Sequence, residues 1–230
     1  MTERRVGGAG IRSALAAIPV PPAVYALGAA IAALAVLGAV DAAVVDLEPF
    51  DLQNELEDGF NVPVLFSGGL LLAASVLAAR LALAGEQTVG RVWVWALFAL
   101  IFLEASIDEL ATIHEELGDS VDVDWVVLYL PLFALAGFLW LTVLRGLAGR
   151  PERLLWVGGA AAWVAAQGFE LIAYGGTEEA RPGTGVLGAF EELGEMTGTT
   201  LLVWTLLLIL QRRRSPSLPA GSARPAASPD

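Results

Sequence analysis

The chain contains no cysteine and no lysine, one histidine, two methionines and three tyrosines. Without cysteine there is no disulfide, no thiolate metal site and no cysteine nucleophile, and nothing follows about redox compartment. One histidine is too few for the histidine-rich zinc centre of a ceramidase-type intramembrane hydrolase. It is also too few for a di-iron or di-manganese site, which usually joins two histidines to about four carboxylates. Charge is scarce as well: 17% of the 230 residues are charged against 56% hydrophobic, and mean hydropathy is +0.66. A soluble domain carries more charge and shorter apolar runs, so an integral membrane protein with the lipid bilayer as its solvent is expected. A net charge of −12 makes nucleic acid a poor partner. Arginine as the sole basic residue, beside abundant alanine and glycine, reads as the codon bias of a GC-rich bacterial genome.

What is present is long apolar runs. A span needs about 20 apolar residues, and six segments meet that length, at 22–45, 62–84, 91–117, 125–147, 153–175 and 186–211. The expected fold is therefore all-α, a polytopic bundle of six transmembrane helices. Residues 1–21 form an amino-terminal segment, 22–211 the helical domain and 212–230 a Pro/Ala/Ser-rich tail expected to be disordered. Arg4, Arg5 and Arg12 precede a first span too long for a cleaved signal peptide, so a retained signal anchor is expected.

Arginine positions orient the bundle. With the amino terminus inside, 12 of the 13 arginines are cytoplasmic and only Arg181 is outside. Both termini are then cytoplasmic, in the cytoplasmic (inner) membrane of a bacterium. Trp93, Trp95 and Trp156 are expected at the inner boundary and Trp125 at the outer one, as an aromatic belt. The same topology puts 21 of the 25 acids in the outer half or the outer loops. Asp46, Glu48, Asp51, Glu55, Glu57 and Asp58 crowd the first of these loops without the alternation of a calcium loop.

Some acids lie within the spans. On a continuous third helix, at about 100° per residue, Glu104, Asp108, Ala111 and Glu115 share one stripe, His114 flanks it, and Glu109 and Glu116 point elsewhere. In the sixth span Glu191, Glu192 and Glu195 share a face with Gly188 and Thr199, near a helix amino terminus whose dipole favours anions. The acids closing the third span have the opposite situation, at a carboxyl terminus whose carbonyls repel them. The fifth span adds Trp163, Gln167, Glu170 and Tyr174. Each bare mid-helix acid costs roughly 2.5–3.5 kcal/mol on insertion scales. The arginines are at the far face, so metal or protons must offset that cost. Gly158 and Gly159 are expected to permit close helix packing, and Met196 to be packing.

Three patches occur in order: Asn61-Val62-Pro63-Val64-Leu65-Phe66-Ser67, Ser106-Ile107-Asp108-Glu109 with His114-Glu115, and Glu191-Glu192 with Glu195-Met196. As a set they resemble a family of bacterial six-helix integral membrane proteins of uncharacterised activity. That family more often has threonine at the position of Val64 and a basic residue at that of Glu116. The resemblance implies the six-helix fold and a polar intramembrane cluster, and transfers no activity.

The residues point first to cation binding by an outward-facing cluster. Asp108, His114, Glu191, Glu192 and Glu195 are the candidate metal ligands, and Glu104, Glu109, Glu115, Gln167 and Glu170 the supporting polar groups. Carboxylates with one histidine suit a divalent Mn, Fe or Mg better than Zn. A proton- or cation-coupled carrier or sensor is the second reading, weakened by the lack of acids in the inner halves. A structural or partner-binding subunit is the third. No enzyme class, substrate or oligomeric state is assigned by these residues.

Overall fold

The computed structural model describes residues 19–44, 62–85, 91–111, 113–121, 123, 125–173 and 185–214. Most of the amino-terminal segment, the first acidic loop, Tyr174, Arg181 and the tail from Ser215 lie outside the described residues. Seven helices account for nearly all of the described residues: α1 Pro22–Val44, α2 Val62–Leu83, α3 Val92–Ala111, α4 Ile113–Val121, α5 Trp125–Gly146, α6 Arg150–Ala173 and α7 Gly185–Arg214. There is no strand among the described residues. Five helices (α1, α2, α5, α6 and α7) are long and apolar enough to cross a membrane. Helix α3 is long enough too, at 20 residues, but carries Glu104, Asp108 and Glu109 in its last turns.

Helix ends follow the local chemistry. Helix α2 stops where Gly85 takes φ +79°, a left-handed conformation that costs glycine nothing, and the Gly85 N–H donates to Ala82 O. Helix α7 continues to Arg214, three residues past its expected end. Arginines suit the carbonyl end of a helix, and Arg212 has a partner there in Glu152, its Nη2 lying 2.5 Å from Glu152 Oε1.

Consecutive long helices from α2 onward run antiparallel. Ser75 Oγ donates to Ala99 O (2.7 Å) and Ser106 Oγ to Gly68 O (2.8 Å), which sets α2 against α3. The core joins Leu71, Ala78 and Leu81 of α2 to Trp95 and Phe98 of α3, Leu139 and Val143 of α5, Trp156 of α6 and Leu206 of α7. Met196 is fully buried against Leu34 and Leu70, as expected of a packing residue. Two of the tryptophans expected in a boundary belt belong instead to this core. Trp95 and Trp156 have no exposed surface, and each meets Phe98. The indoles of Trp140 and Trp156 satisfy themselves reciprocally, each N–H donating to the other residue's backbone carbonyl at 3.2 and 3.1 Å. A ring whose N–H finds a protein acceptor needs no interfacial water.

Helices α6 and α7 approach most closely, along Gly158, Gly159, Ala162 and Ala166 on one side and Gly194 and Gly198 on the other. A Cβ on Gly198 would sit 2.6 Å from Trp163 Cδ1 and 2.9 Å from Gly159 O, and one on Gly159 would sit 2.9 Å from Leu202. The small residues are thus a steric requirement of the pairing, as the glycine pair at 158 and 159 led us to expect.

At the two ends of this seam the chain is fastened differently. Glu152, buried in the first turn of α6, meets Arg212 in the last turns of α7, and Arg153 Nε donates to Leu147 O at 2.6 Å. At the other end the contacts are Trp163 to Thr199 and Gln167 to Glu195.

Gly198→Ala is expected to push α6 from α7 and to destabilise the fold by about 1–3 kcal/mol. Gly168→Ala adds a Cβ that meets nothing within 4 Å and should be neutral or slightly stabilising. Thermal unfolding of the two variants in one detergent compares them, and equal midpoints would contradict the seam.

Candidate functional site

Two polar groupings occupy the end of the bundle opposite Arg80, Arg91, Arg145, Arg150, Arg153 and the arginines that close α7. The first lies where α3 gives way to α4. The His114 backbone N–H donates to Asp108 Oδ1 (2.8 Å), and His114 Nδ1 lies 2.8 Å from Asp108 Oδ2. In a continuous helix a side chain cannot reach the N–H six residues ahead, so the helix is not continuous from Asp108 to His114. The continuous helix on which the stripe of Glu104, Asp108, Ala111 and Glu115 was drawn is therefore interrupted.

This break also changes the electrostatics of Asp108. It sits at the carbonyl end of α3, as anticipated, but it also faces the N–H end of α4 and satisfies one of its unbonded donors. Beside a carboxylate, His114 Nδ1 is the ring nitrogen assigned the proton, and it donates. Tyr129 of α5 adds a third donor, its hydroxyl 3.1 Å from Asp108 Oδ1. Asp108 is compensated within the protein, which the sequence alone did not reveal. Glu104, one turn before Asp108 on α3, lies in electrostatic reach of Asp108 and Tyr129.

Aromatic rings wall this grouping. The His114 ring meets Trp125 edge-on with centroids 4.6 Å apart, and Tyr129 stands between Trp125 and Phe133 at 5.9 and 6.2 Å. Gly118 of α4 packs against Val123 O and Trp125. Tyr129 was missed in the sequence, yet Trp125, Tyr129 and Phe133 recur every four residues on α5 and mark the face that meets α4.

The second grouping belongs to α7 and its neighbours. Glu195 is buried, accepts from Gln167 Nε2 (3.2 Å), and lies in electrostatic reach of Glu109 on α3, Glu170 on α6 and Glu191 and Glu192 on its own helix. Glu109 therefore does not point away from the acids. It extends the buried stripe of Trp95, Phe98, Phe102 and Ser106 toward α2 and α7, beside the fully buried hydroxyl of Ser67. That continuation, at steps of three and four residues, was the available signal.

The expected candidates thus divide. Asp108 and His114 pair with each other and with Tyr129, while Glu191, Glu192, Glu195, Gln167 and Glu170 gather with Glu109. The two groupings are adjacent, since Glu109 also senses Asp108 and His114. The side chain of Glu115 lies outside the described residues. Among the described residues no group of three or more His, Cys, Asp or Glu is placed to hold a metal ion.

A protein-family model described as a domain of unknown function (DUF8692) matches residues 22–210. No curated protein and no solved structure matches the chain.

Asp108→Ala removes the cap of α4 together with the ring partner of His114. We expect a loss of about 1–2 kcal/mol, with the His114 backbone amide exchanging with solvent at least about tenfold faster. Unchanged exchange at that amide would show that Asp108 does not hold α4.

Proposed function

The chain belongs to the DUF8692 family, and we propose from its own geometry that it is a six-span integral membrane protein whose carboxylate cluster binds cations. In this reading α3 and α4 together form the third span and its outer end. The arginine-bearing ends and both termini face the cytoplasm of a bacterial cell, and the carboxylates face the outer leaflet.

One observation carries the proposal. The carboxyls of Glu195 and Glu109 come from facing helices into mutual range, with Glu170, Glu191 and Glu192 around them. The eight described arginines lie toward the other end of the bundle. Carboxylates this close in a poorly hydrated setting cannot all carry charge unless a cation joins them. The amino terminus of α7 offsets part of the charge on Glu191 and Glu192, and the Gln167 amide part of that on Glu195.

The proton is the cation that this arrangement suits best. Protons need only neighbouring carboxyls and a donor, which Glu109, Glu195 and the Gln167 amide supply. A divalent ion needs several ligands converging on one point, and the described residues support no such convergence. Uptake and release of protons on the outer side would make the protein a proton-coupled carrier or sensor.

Purified protein decides between the occupants. We expect a protein free of stoichiometric metal that takes up protons as pH falls through about 8 to 4, with at least one fewer per chain in Glu195→Gln. Stoichiometric Mn or Fe in the wild type, lost from Glu195→Gln, would make the cation a metal. If neither proton uptake nor metal content responds to Glu195→Gln and Glu109→Gln, the cluster binds no cation.

A further inference from the structure

The end of the bundle away from the carboxylate cluster has an organised feature of its own. The turn from α5 to α6 is three residues long, Leu147 to Gly149, and four arginines surround it. Arg145 lies in the last turn of α5, and Arg150 and Arg153 open α6. Arg153 reaches back over the turn, its Nε donating to Leu147 O at 2.6 Å. Arg212 arrives from α7, and its Nη2 lies 2.8 Å from where a Cβ on Gly149 would stand. One carboxylate, the buried Glu152, answers these four charges, and its partner is Arg212.

Two of the four guanidinium groups are held in place and two are free. Arg153 and Arg212 are each fixed by one contact on the protein side, yet both side chains remain exposed. A guanidinium carries five N–H donors in a rigid fork, so each keeps most of them for a ligand. Arg145 and Arg150 are exposed and have no polar partner among the described residues. Arg150 and Arg153 also stand at the amino-terminal end of a helix, where the dipole disfavours cations. Local preference is overridden there, a conflict of the kind that functional sites carry.

One turn further into the helices the same faces are apolar. Leu141 and Phe138 continue the face of Arg145 along α5, at steps of four and three residues, and are 41% and 56% exposed. Val157 continues the face of Arg150 and Arg153 along α6 and is 43% exposed. Guanidinium groups at the head of an exposed apolar strip match a molecule with a phosphate head and a hydrocarbon tail.

We propose that the α5–α6 turn binds an anionic phospholipid, its phosphate held by Arg145, Arg150, Arg153 and Arg212 and its acyl chain lying along Leu141 and Val157. Arginine forks bind phosphate oxygens in pairs, and basic pockets between spans at a membrane surface take anionic headgroups. A zwitterionic lipid also has a phosphate, but the excess of guanidinium charge repels its ammonium group. Arginines that only orient a span need not gather at one turn, nor be held there by protein contacts. The site stands apart from the carboxylate cluster and shares with the preceding reading only the placement of the bundle in a membrane.

The test uses delipidated full-length protein in neutral detergent, titrated with phosphatidylglycerol or phosphatidylcholine, with bound lipid counted by native mass spectrometry. Phosphatidylglycerol is expected to saturate at about one per chain and to bind at least about tenfold more tightly than phosphatidylcholine. Arg145→Gln/Arg150→Gln removes the two free guanidinium groups and leaves the Glu152–Arg212 and Arg153–Leu147 contacts in place. It should weaken phosphatidylglycerol at least about tenfold, and each single variant roughly threefold to fivefold. Either single variant keeps the test decisive if the double variant fails to fold. Arg91→Gln takes one charge from the same end of the bundle, outside this turn, and should leave the affinity within about twofold.

Equal affinity for the two lipids overturns the site, as does an equal loss in Arg91→Gln and Arg150→Gln, which would mean charge acting without a defined place. Displacement of the lipid by excess inorganic phosphate would make this a free-anion site and overturn the lipid assignment. Glu195→Gln should leave phosphatidylglycerol binding unchanged, so failure of the cation-binding reading and failure of the lipid site are told apart.

Discussion

Helices α6 and α7 lie so close along Gly159, Ala162, Ala166, Gly194 and Gly198 that a Cβ added at Gly159 or Gly198 would meet its neighbours within 3 Å, and the rest of the bundle packs around that contact. It brings Gln167 against Glu195 and Glu170 within its field. It also turns Leu202 and Leu206 of α7 toward the core formed by α2 and α3. Dispersion between small residues is individually weak. In an apolar solvent it is nevertheless the main attraction left between helices, because lipid tails solvate leucine as well as another helix does. A seam of glycine and alanine therefore decides which carboxyls can face one another.

The bundle treats its two polar groupings by different means. Asp108 is satisfied by neighbours: a backbone N–H, a ring nitrogen and a phenol. Glu195 is surrounded mainly by its own kind, with one amide donor. The first arrangement holds a shape at the elbow between α3 and α4. The second sets acids against one another with little compensation, and the two meet at adjacent residues of α3, Asp108 and Glu109.

Much of this architecture was readable in residue order. Helix ends followed hydropathy to within a few residues, because a long apolar run has one regular way of bonding its backbone. Among the described residues the arginines lie at one end and the intrahelical acids other than Glu152 at the other, and close packing is required at Gly159. The elbow was not readable, since no proline or glycine lies between Asp108 and His114. Glu109 does leave the face of Asp108, as expected, but what it turns toward was not readable. A helical wheel gives angles, but only packing shows that α3 has two occupied faces, one toward α5 and one toward α2 and α7. Trp95 and Trp156 looked interfacial by depth, yet their surroundings are other aromatic rings.

The Glu152–Arg212 clasp gives the α6–α7 pair a fulcrum. One carboxylate oxygen faces Arg212 and the other fills the space above Gly149, so that end offers little room to separate. From Glu152 to Glu170 is 18 residues, roughly 27 Å of helix. A tilt of about 5° about the clasp displaces Glu170 by about 2 Å, enough to replace a direct hydrogen bond by a water-bridged one. Leverage thus converts a rotation too small to disturb the arginine end into a change of wetting around Glu195.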